Sequence, residues 1–309
     1  MAVEQGNNRS SPERLAVITG TGGLGYEAAR KLAAQGFRII LAGRNEDKGR
    51  AAVAALQQAS PHATIQYERL DLASLSSISA FSTALAGQLA AVDLLICNAG
   101  IMSPPQRRTT KDGFEVQMGV NHLGHFALTA GLLPLLRQAP SARVVSVTSL
   151  AQHHAKIDLD DLQGDARYNA GRAYCASKFA QASFARELDR RSREGGWGIA
   201  SLAAHPGFAR TKLFEGDHAR TGGPKILLSG LLGHLIGQSA SDGAAPIVHA
   251  ATAPDAKGGE LYGPKGLFEM RGPPGPCTFA KASDDPERAA RLWILSEQLT
   301  GVRFPQPSR

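Results

Sequence analysis

The sequence predicts an α/β fold: a doubly wound, mostly parallel sheet of about seven strands flanked by helices. Two observations carry this expectation. Strand-like and helix-like segments alternate from residue 15 onward, which implies parallel βαβ units with right-handed crossovers. The first apolar run also meets a glycine-rich turn, Thr19-Gly20-Thr21-Gly22-Gly23-Leu24-Gly25, before the first helix. In such a sheet, ligands lie at the carboxyl ends of the strands.

Leu15 to Thr19 is the first apolar run, and Tyr26 to Gln35 reads as a helix stopped by Gly36. Phe37 to Ala42 is a second strand and Glu46 to Gln58 a second helix. Thr64 to Leu70 alternates at period two, the signature of a half-buried strand. Leu75 to Leu89 is helical, and Val92 to Cys97 is a buried strand ending at Asn98-Ala99-Gly100. Phe114 to Leu136 is one long helical stretch, and Arg143 to Val147 is a strand. Arg172 to Arg193 is a helix, and Ile199 to Ala204 a strand ending at His205-Pro206-Gly207.

Beyond Gly207 the pattern loosens. Ser241 to Ala253 reads as a helix, Glu260 to Tyr262 as a last short strand, Gly266 to Pro276 as a Pro/Gly-rich loop, and Pro286 to Leu299 as a terminal helix. No repeat or composition break marks a second domain. Residues 1–13 are expected to be a flexible segment and 14–309 a single domain, with a C-terminal extension over about 264–309. Residues 208–240 are expected to cover the substrate. Within them Ile226 to Ile236 is apolar and glycine-bearing, compatible with a mobile lid or with a subunit contact in a homo-oligomer.

Composition excludes several classes. The chain has 309 residues, 43% hydrophobic and 20% charged, as expected of a soluble globular protein. Its net charge of +7 is spread out, without the long basic block of a nucleic-acid-binding module. No apolar run approaches the ~20 residues that span a bilayer, and Met1 to Arg14 lack a signal core. Cys97, Cys175 and Cys277 match no zinc spacing and suit a reducing cytoplasm. His122, His125, His153 and His154 have no carboxylate or cysteine at matching spacing, so no metal is expected.

The glycine turn suits a dinucleotide. Glycines let the backbone amides approach a pyrophosphate, and the helix N-terminus adds a favourable dipole. At the end of the second strand, an acid would bind the ribose hydroxyls of NAD. Leu41-Ala42-Gly43-Arg44-Asn45 has none, and Arg44, helped by Lys48, is placed for a 2′-phosphate, so NADP is favoured over NAD. Further on, Tyr174 and Lys178 stand four residues apart on one helical face. An ammonium held beside a phenol pulls its pKa below ~10 and fits it for proton transfer near neutral pH.

Taken together, these motifs resemble the short-chain dehydrogenase/reductase family, over about residues 14 to 262. The resemblance rests on the turn at 19–25, Asp71-Leu72, Cys97-Asn98-Ala99-Gly100, Asn121-His122-Leu123-Gly124, Val147-Thr148-Ser149, Tyr174 to Lys178, and Pro206-Gly207 through Thr211, in the family's order. Asn121 through Phe126 and the segment at Arg44 are similar to the branch of retinol dehydrogenases and protochlorophyllide reductases. The glycine turn is one residue shorter than the family's usual one, and Cys97 stands where the family usually has Asn.

The resemblance implies a single-domain Rossmann fold and an alcohol–carbonyl oxidoreductase acting on a small-molecule substrate. It implies Tyr174 as general acid/base and Ser149 as hydrogen-bond partner of the substrate oxygen. Lys178 would lower the Tyr174 pKa and contact the nicotinamide ribose, and Asn121 would hold a relay water. Gly20, Thr21, Gly23, Leu24, Gly25, Arg44, Asp71, Leu72, Asn98, Ala99, Gly100, Tyr174, Lys178, Pro206, Gly207 and Thr211 would contact the cofactor. The competing expectation is a catalytically silent dinucleotide-binding regulator on the same fold, but such a protein would be expected to have lost Ser149, Tyr174 or Lys178.

Overall fold

The computed structural model describes residues 14–209 and 237–305. The segment 1–13, Thr211, the stretch from Ile226 to Ile236 and most of the expected lid fall outside these residues.

The strands are β1 (Leu15–Thr19), β2 (Arg38–Gly43), β3 (Ile65–Arg69), β4 (Leu94–Cys97), β5 (Ala142–Val147), β6 (Ile199–Ala204), β7 (Leu261–Pro264) and β8 (Pro274–Cys277). They form one sheet in the order β3-β2-β1-β4-β5-β6-β7-β8. All pairs are parallel except β7 with β8. Sequential strands part company between β1 and β4, and this switch point opens the crevice where a doubly wound sheet takes its ligand.

Among the described residues the sheet has eight strands rather than about seven. The extra one, β8, lies in the segment expected to be a Pro/Gly-rich loop. Pro274 and Pro276 hide it from a propensity reading, yet proline is tolerated on an edge strand, where no neighbour needs its missing N–H. Gly263 faces Gly275 in this last pair.

The helices are α1 (Gly23–Ala33), α2 (Glu46–Ala59), α3 (Leu75–Ala86), α4 (Gly124–Leu136), α5 (Ala170–Glu194), α6 (Ala240–Thr252) and α7 (Pro286–Thr300). Asn45, Ser74, Asn169, Ser239 and Asp285 cap five of them with side-chain acceptors. The long helix expected over Phe114 to Leu136 is interrupted: Met118–Leu123 form a π-helical turn before α4 begins. Such turns recur at functional sites because they push side chains out of α-helical register.

Each face of the sheet carries a core. Val17, Ile40, Leu95 and Val144 point to the α3–α4–α5 side, and Ile18, Ile39, Leu41 and Ile96 to the α1–α2–α6 side. Burial on both faces explains why these parallel strands read as unbroken apolar runs. On the first side α7 closes over α4 and α5. Trp293 meets Phe126 edge-on at 5.0 Å between ring centroids and stacks on Phe184 at 5.7 Å, while Arg191 covers the indole at 4.5 Å. Truncating Phe126 here to alanine would cost ~3–5 kcal/mol.

Candidate active site

The glycine turn leaves β1 at Thr19 and enters α1 at Gly23. Gly20 has φ +94° and Gly23 φ +54°, the left-handed region that glycine occupies without strain. A Cβ on Gly25 would stand 2.4 Å from the Gly20 carbonyl oxygen, so the helix start and the turn pack backbone against backbone. The one-residue-shorter turn thus keeps a tight cradle. No side chain caps α1 and no acid lies in its first turn, so its N–H groups are open to an anion. The residues present fit a dinucleotide pyrophosphate. Thr21 packs its methyl toward Gly43, and Leu24 packs toward Gly243.

The β1 and β4 ends are tied together across the switch point. Thr19 Oγ1 accepts the amides of Asn98 (2.9 Å) and Ala99 (3.0 Å), and Asn98 Nδ2 donates to the Thr19 carbonyl at 2.8 Å. His125 Nδ1 lies 2.9 Å from the Asn121 carbonyl, which can only accept, so this nitrogen carries the proton. His125 Nε2 therefore accepts the Thr19 hydroxyl at 2.9 Å. Burial pushes the His125 pKa down to about 4, so the ring is neutral and serves as a fixed link from β1 to the π-helical turn.

Asn121 sits in that turn, fully buried. Its Oδ1 accepts the Ile101 amide at 2.7 Å, and its Nδ2 donates to the Ile101 carbonyl and to Ser177 Oγ, both at 2.9 Å. A Cβ on Gly100 would lie 3.2 Å from Asn121 Oδ1 and 3.7 Å from Lys178 Nζ, so Gly100, Asn121 and Lys178 converge on one spot.

Lys178 is buried on α5, where its ammonium donates to the Val147 carbonyl at 3.0 Å and to Gln181 Oε1 at 2.8 Å. Thr148 Oγ1 pins the Lys178 carbonyl at 2.7 Å. Ser149 lies two residues beyond the end of β5 and caps the short 3₁₀ turn Leu150–His154 by accepting the Ala151 amide. Ser149 lies close enough to Tyr174 for its hydroxyl to favour the phenolate. Ser149, Tyr174 and Lys178 are thus brought together by β5 and α5.

The expected pull of Lys178 on the phenol is not observed. Burial pushes the Tyr174 pKa up to about 12, with the Ser149 hydroxyl acting the other way. Burial also pushes Lys178 down to about 7. Its Nζ lies 5.8 Å from the Tyr174 ring centroid and spends its hydrogen bonds elsewhere. Helical spacing puts both residues on one face but cannot say which acceptors compete for the ammonium.

The remaining expected residues, among those described, sit at the same edge of the sheet. Arg44 follows β2, exposed. Asp71 follows β3, accepts the Ala73 amide at 3.1 Å and pairs with Lys111 at 3.3 Å. Leu72 is buried, and its carbonyl would be 2.6 Å from a Cβ on Gly124, a close approach of β3's end to α4. Pro206 and Gly207 follow β6, with Gly207 at φ +60°. Sequence reading missed Thr19, His125, Ser177 and Gln181 as members of this network. Gln181, three residues beyond Lys178 on the same helix, had a readable signal in that spacing.

Two further features do not include Ser149 or Tyr174. A cavity of about 1000 Å³ opens beside the 155–169 loop, lined by acidic and basic side chains together with Met118 and Ala176. His205, Glu269 and Cys277 bring one nitrogen, one oxygen and one sulfur within 4.8 Å of one another. Their wide separation in sequence concealed this trio.

The fold and the cradle define a nucleotide-binding oxidoreductase, and the comparisons with known proteins specify it. Residues 14–221 match the short chain dehydrogenase family. Human retinol dehydrogenase 12 is 36% identical over 96% of this chain and 89% of its own length. Human polyprenol dehydrogenase is 35% identical over 94% and 86%. The crystal structure of an uncharacterized protein from Mycobacterium paratuberculosis superposes with a TM-score of 0.77 at 38% identity, covering 94% of this chain and 95% of that one. Pseudomonas aeruginosa RhlG in its NADP active-site complex shares the fold alone, at a TM-score of 0.63 and 23% identity over 80% of this chain and 93% of its own. The chain belongs to the short-chain dehydrogenase family, in its retinol dehydrogenase-like branch. It is an oxidoreductase of the alcohol–carbonyl class using a nicotinamide dinucleotide, and a silent regulator is not favoured.

Proposed function

We propose that the chain is an NADP(H)-dependent oxidoreductase that interconverts a lipophilic alcohol and its carbonyl, with Tyr174 as general acid/base. The observation that carries the reading is the convergence of Ser149, Tyr174 and Lys178 at the carboxyl end of β5, in the same sheet whose β1 runs into the uncapped N-terminus of α1. The dinucleotide, when bound, supplies or accepts the hydride. The chain's own residues orient the reactants and move the proton. In reduction, Ser149 donates a hydrogen bond to the substrate oxygen while Tyr174 gives it a proton. A phenol held near pKa 12 is wholly protonated at neutral pH, the form an acid needs. In oxidation the same phenol must first lose its proton.

Lys178 holds the ribose end, and Asn121 carries a water between Lys178 and solvent. Gly20, Gly23 and Gly25 admit the pyrophosphate, with Thr21 and Leu24 beside it. Arg44 meets the 2′-phosphate, Asp71 and Leu72 border the adenine, and Asn98, Ala99 and Gly100 line the cleft. Pro206, Gly207 and Thr211 receive the nicotinamide end. The lipophilic substrate rests on the names of the relatives, which are dehydrogenases of retinol and of polyprenol. The segment about 208–240 would cover the substrate. Among the described residues no helix is long and apolar enough to cross a membrane, and the three free thiols suit a cytoplasmic setting.

The test is turnover of a panel of ketones, aldehydes and alcohols with NADPH and with NADH. The reading expects NADPH-dependent reduction, favouring apolar aldehydes or ketones. No turnover of any member with either cofactor would reject it.

A further inference from the structure

The turn between β7 and β8 is strained and clasped to the loop that follows β6. Phe268 and Glu269 have φ +50° and +56°, a conformation that is strained for a residue with a side chain and persists only when its surroundings enforce it. The turn is closed by its own hydrogen bonds, among them the Gly266 amide to the Arg271 carbonyl at 2.9 Å and the Glu269 amide to the Gly266 carbonyl at 3.0 Å, and further contacts reach residues 205–208. Glu269 Oε2 lies 3.1 Å from Nε2 of the fully buried His205, and the Met270 carbonyl accepts the Phe208 amide at 2.9 Å. A Cβ on Gly207 would stand 2.4 Å from that same Met270 carbonyl, and one on Gly263 would stand 2.0 Å from His205 Nε2. Both glycines therefore make room for the clasp.

The hydrogen bonds fix which imidazole nitrogen holds the proton. The Gly207 amide donates to His205 Nδ1 at 3.2 Å, so Nδ1 is bare and Nε2 carries the hydrogen that Glu269 accepts. Burial lowers the His205 pKa, which keeps the ring neutral. Cys277 Sγ donates to the Gly275 carbonyl at 3.7 Å, and burial, with Glu269 nearby acting in the same direction, pushes its thiol up to about 12, so it is a thiol and not a thiolate. This proton arrangement is wrong for a cation at the His205–Glu269–Cys277 trio. The ring nitrogen facing the other two donors is protonated, whereas a ligating histidine offers that nitrogen bare and donates from the other. The His205–Glu269 pair is a hydrogen-bonded clasp, with Cys277 beside it.

We propose that Glu269 is a positioning residue for cofactor binding. By accepting the His205 Nε2–H, it fixes the tautomer whose Nδ1 receives the Gly207 amide, and so holds the Pro206–Gly207 turn in its left-handed conformation. The inference rests on the reading of Pro206 and Gly207 as contacts of the nicotinamide end. It needs no contact between Glu269 and the cofactor.

Three measurements test it. In the wild-type protein, the imidazole nitrogen shifts of His205 should report a proton on Nε2 and none on Nδ1. The opposite tautomer would overturn the proposal without any variant. Glu269→Ala should speed amide exchange at residues 207 and 208 in the ligand-free protein and weaken NADPH binding, each roughly 10–100-fold, the loss of one charge-assisted hydrogen bond. Glu269→Gln keeps an acceptor for Nε2–H and should restore both to within about threefold, as should Cys277→Ser, which leaves the His205 link intact. The KM for the carbonyl substrate should hold while that for NADPH rises, a split that general destabilisation would not give. Unchanged exchange in Glu269→Ala overturns the clasp. Faster exchange with unchanged NADPH affinity overturns its role in cofactor binding. A wild-type protein that binds no NADP(H) fails the functional reading instead, and the tautomer and exchange data still judge the clasp.

Discussion

Gln181 Oε1 accepts a hydrogen bond from Lys178 Nζ at 2.8 Å, so the buried ammonium is steered by its own helix. The second acceptor, the Val147 carbonyl, comes from the end of β5. Two acceptors offset part of the burial that pushes Lys178 down to about 7 from its ordinary 10.5. This has a pH signature in stability. Below about pH 7 both folded and unfolded chains carry the proton, and the full cost of burying the charge is felt. Between about 7 and 10.5 only the unfolded chain binds it, so stability rises with pH, and above 10.5 the cost is gone. Lys178→Met removes the titrating group. The Tm of this variant minus that of the wild type should therefore fall as pH rises from 7 to 10. A constant difference would mean that Lys178 titrates as an exposed lysine does.

Tyr174→Phe keeps the ring and deletes the proton donor. Turnover should fall ~10²–10⁴-fold while NADP(H) still binds. The raised phenol also predicts an asymmetry in the wild type. Tyr174 should add no pH dependence to carbonyl reduction from pH 6 to 8, where the phenol is fully protonated, so any change there belongs to Lys178, which titrates near 7. Alcohol oxidation should climb with pH toward the value near 12. Initial rates in both directions on one substrate pair check this, and a variant with near-normal turnover would remove Tyr174 from the chemistry.

Arg44 is exposed, and the acid that would select NAD is missing from the end of β2. Arg44→Asp should weaken NADPH by roughly 10–150-fold, the loss of a charge-assisted bond, and weaken NADH far less. Fluorescence titration of both cofactors against both proteins measures it, and equal losses would end the case for NADP preference.

Gly25→Ala tests the cradle. The added Cβ would meet the Gly20 carbonyl oxygen at 2.4 Å, and backbone cannot swing aside as a side chain can. The change should cost ~1–3 kcal/mol of stability, as overpacking does, and remove most dinucleotide affinity. Gly22→Ala is the matched control, because nothing lies within 4 Å of its Cβ position. Thermal unfolding and cofactor titration of the pair separate close packing from mere glycine loss, and equal behaviour of the two would sink the cradle.

The amino-acid sequence by itself determined the alternation of strands and helices, because burial on both sheet faces leaves unbroken apolar runs such as Leu15–Thr19 and Leu94–Cys97. It also placed Ser149, Tyr174 and Lys178 in order, since their local motifs are short and periodic. Tertiary structure alone decided what each of these groups touches. The Lys178 ammonium turns to Val147 and Gln181 rather than to the phenol, and Asn121 bonds Ile101 and Ser177 from a π-helical turn that a helical repeat does not reveal. β8 was hidden by its prolines, which an edge strand tolerates and a propensity rule does not. The His205–Glu269 contact joins residues 64 apart in the chain. A contact of that range is set by how β6, β7 and β8 lie side by side, and burial and proton position follow from the same packing.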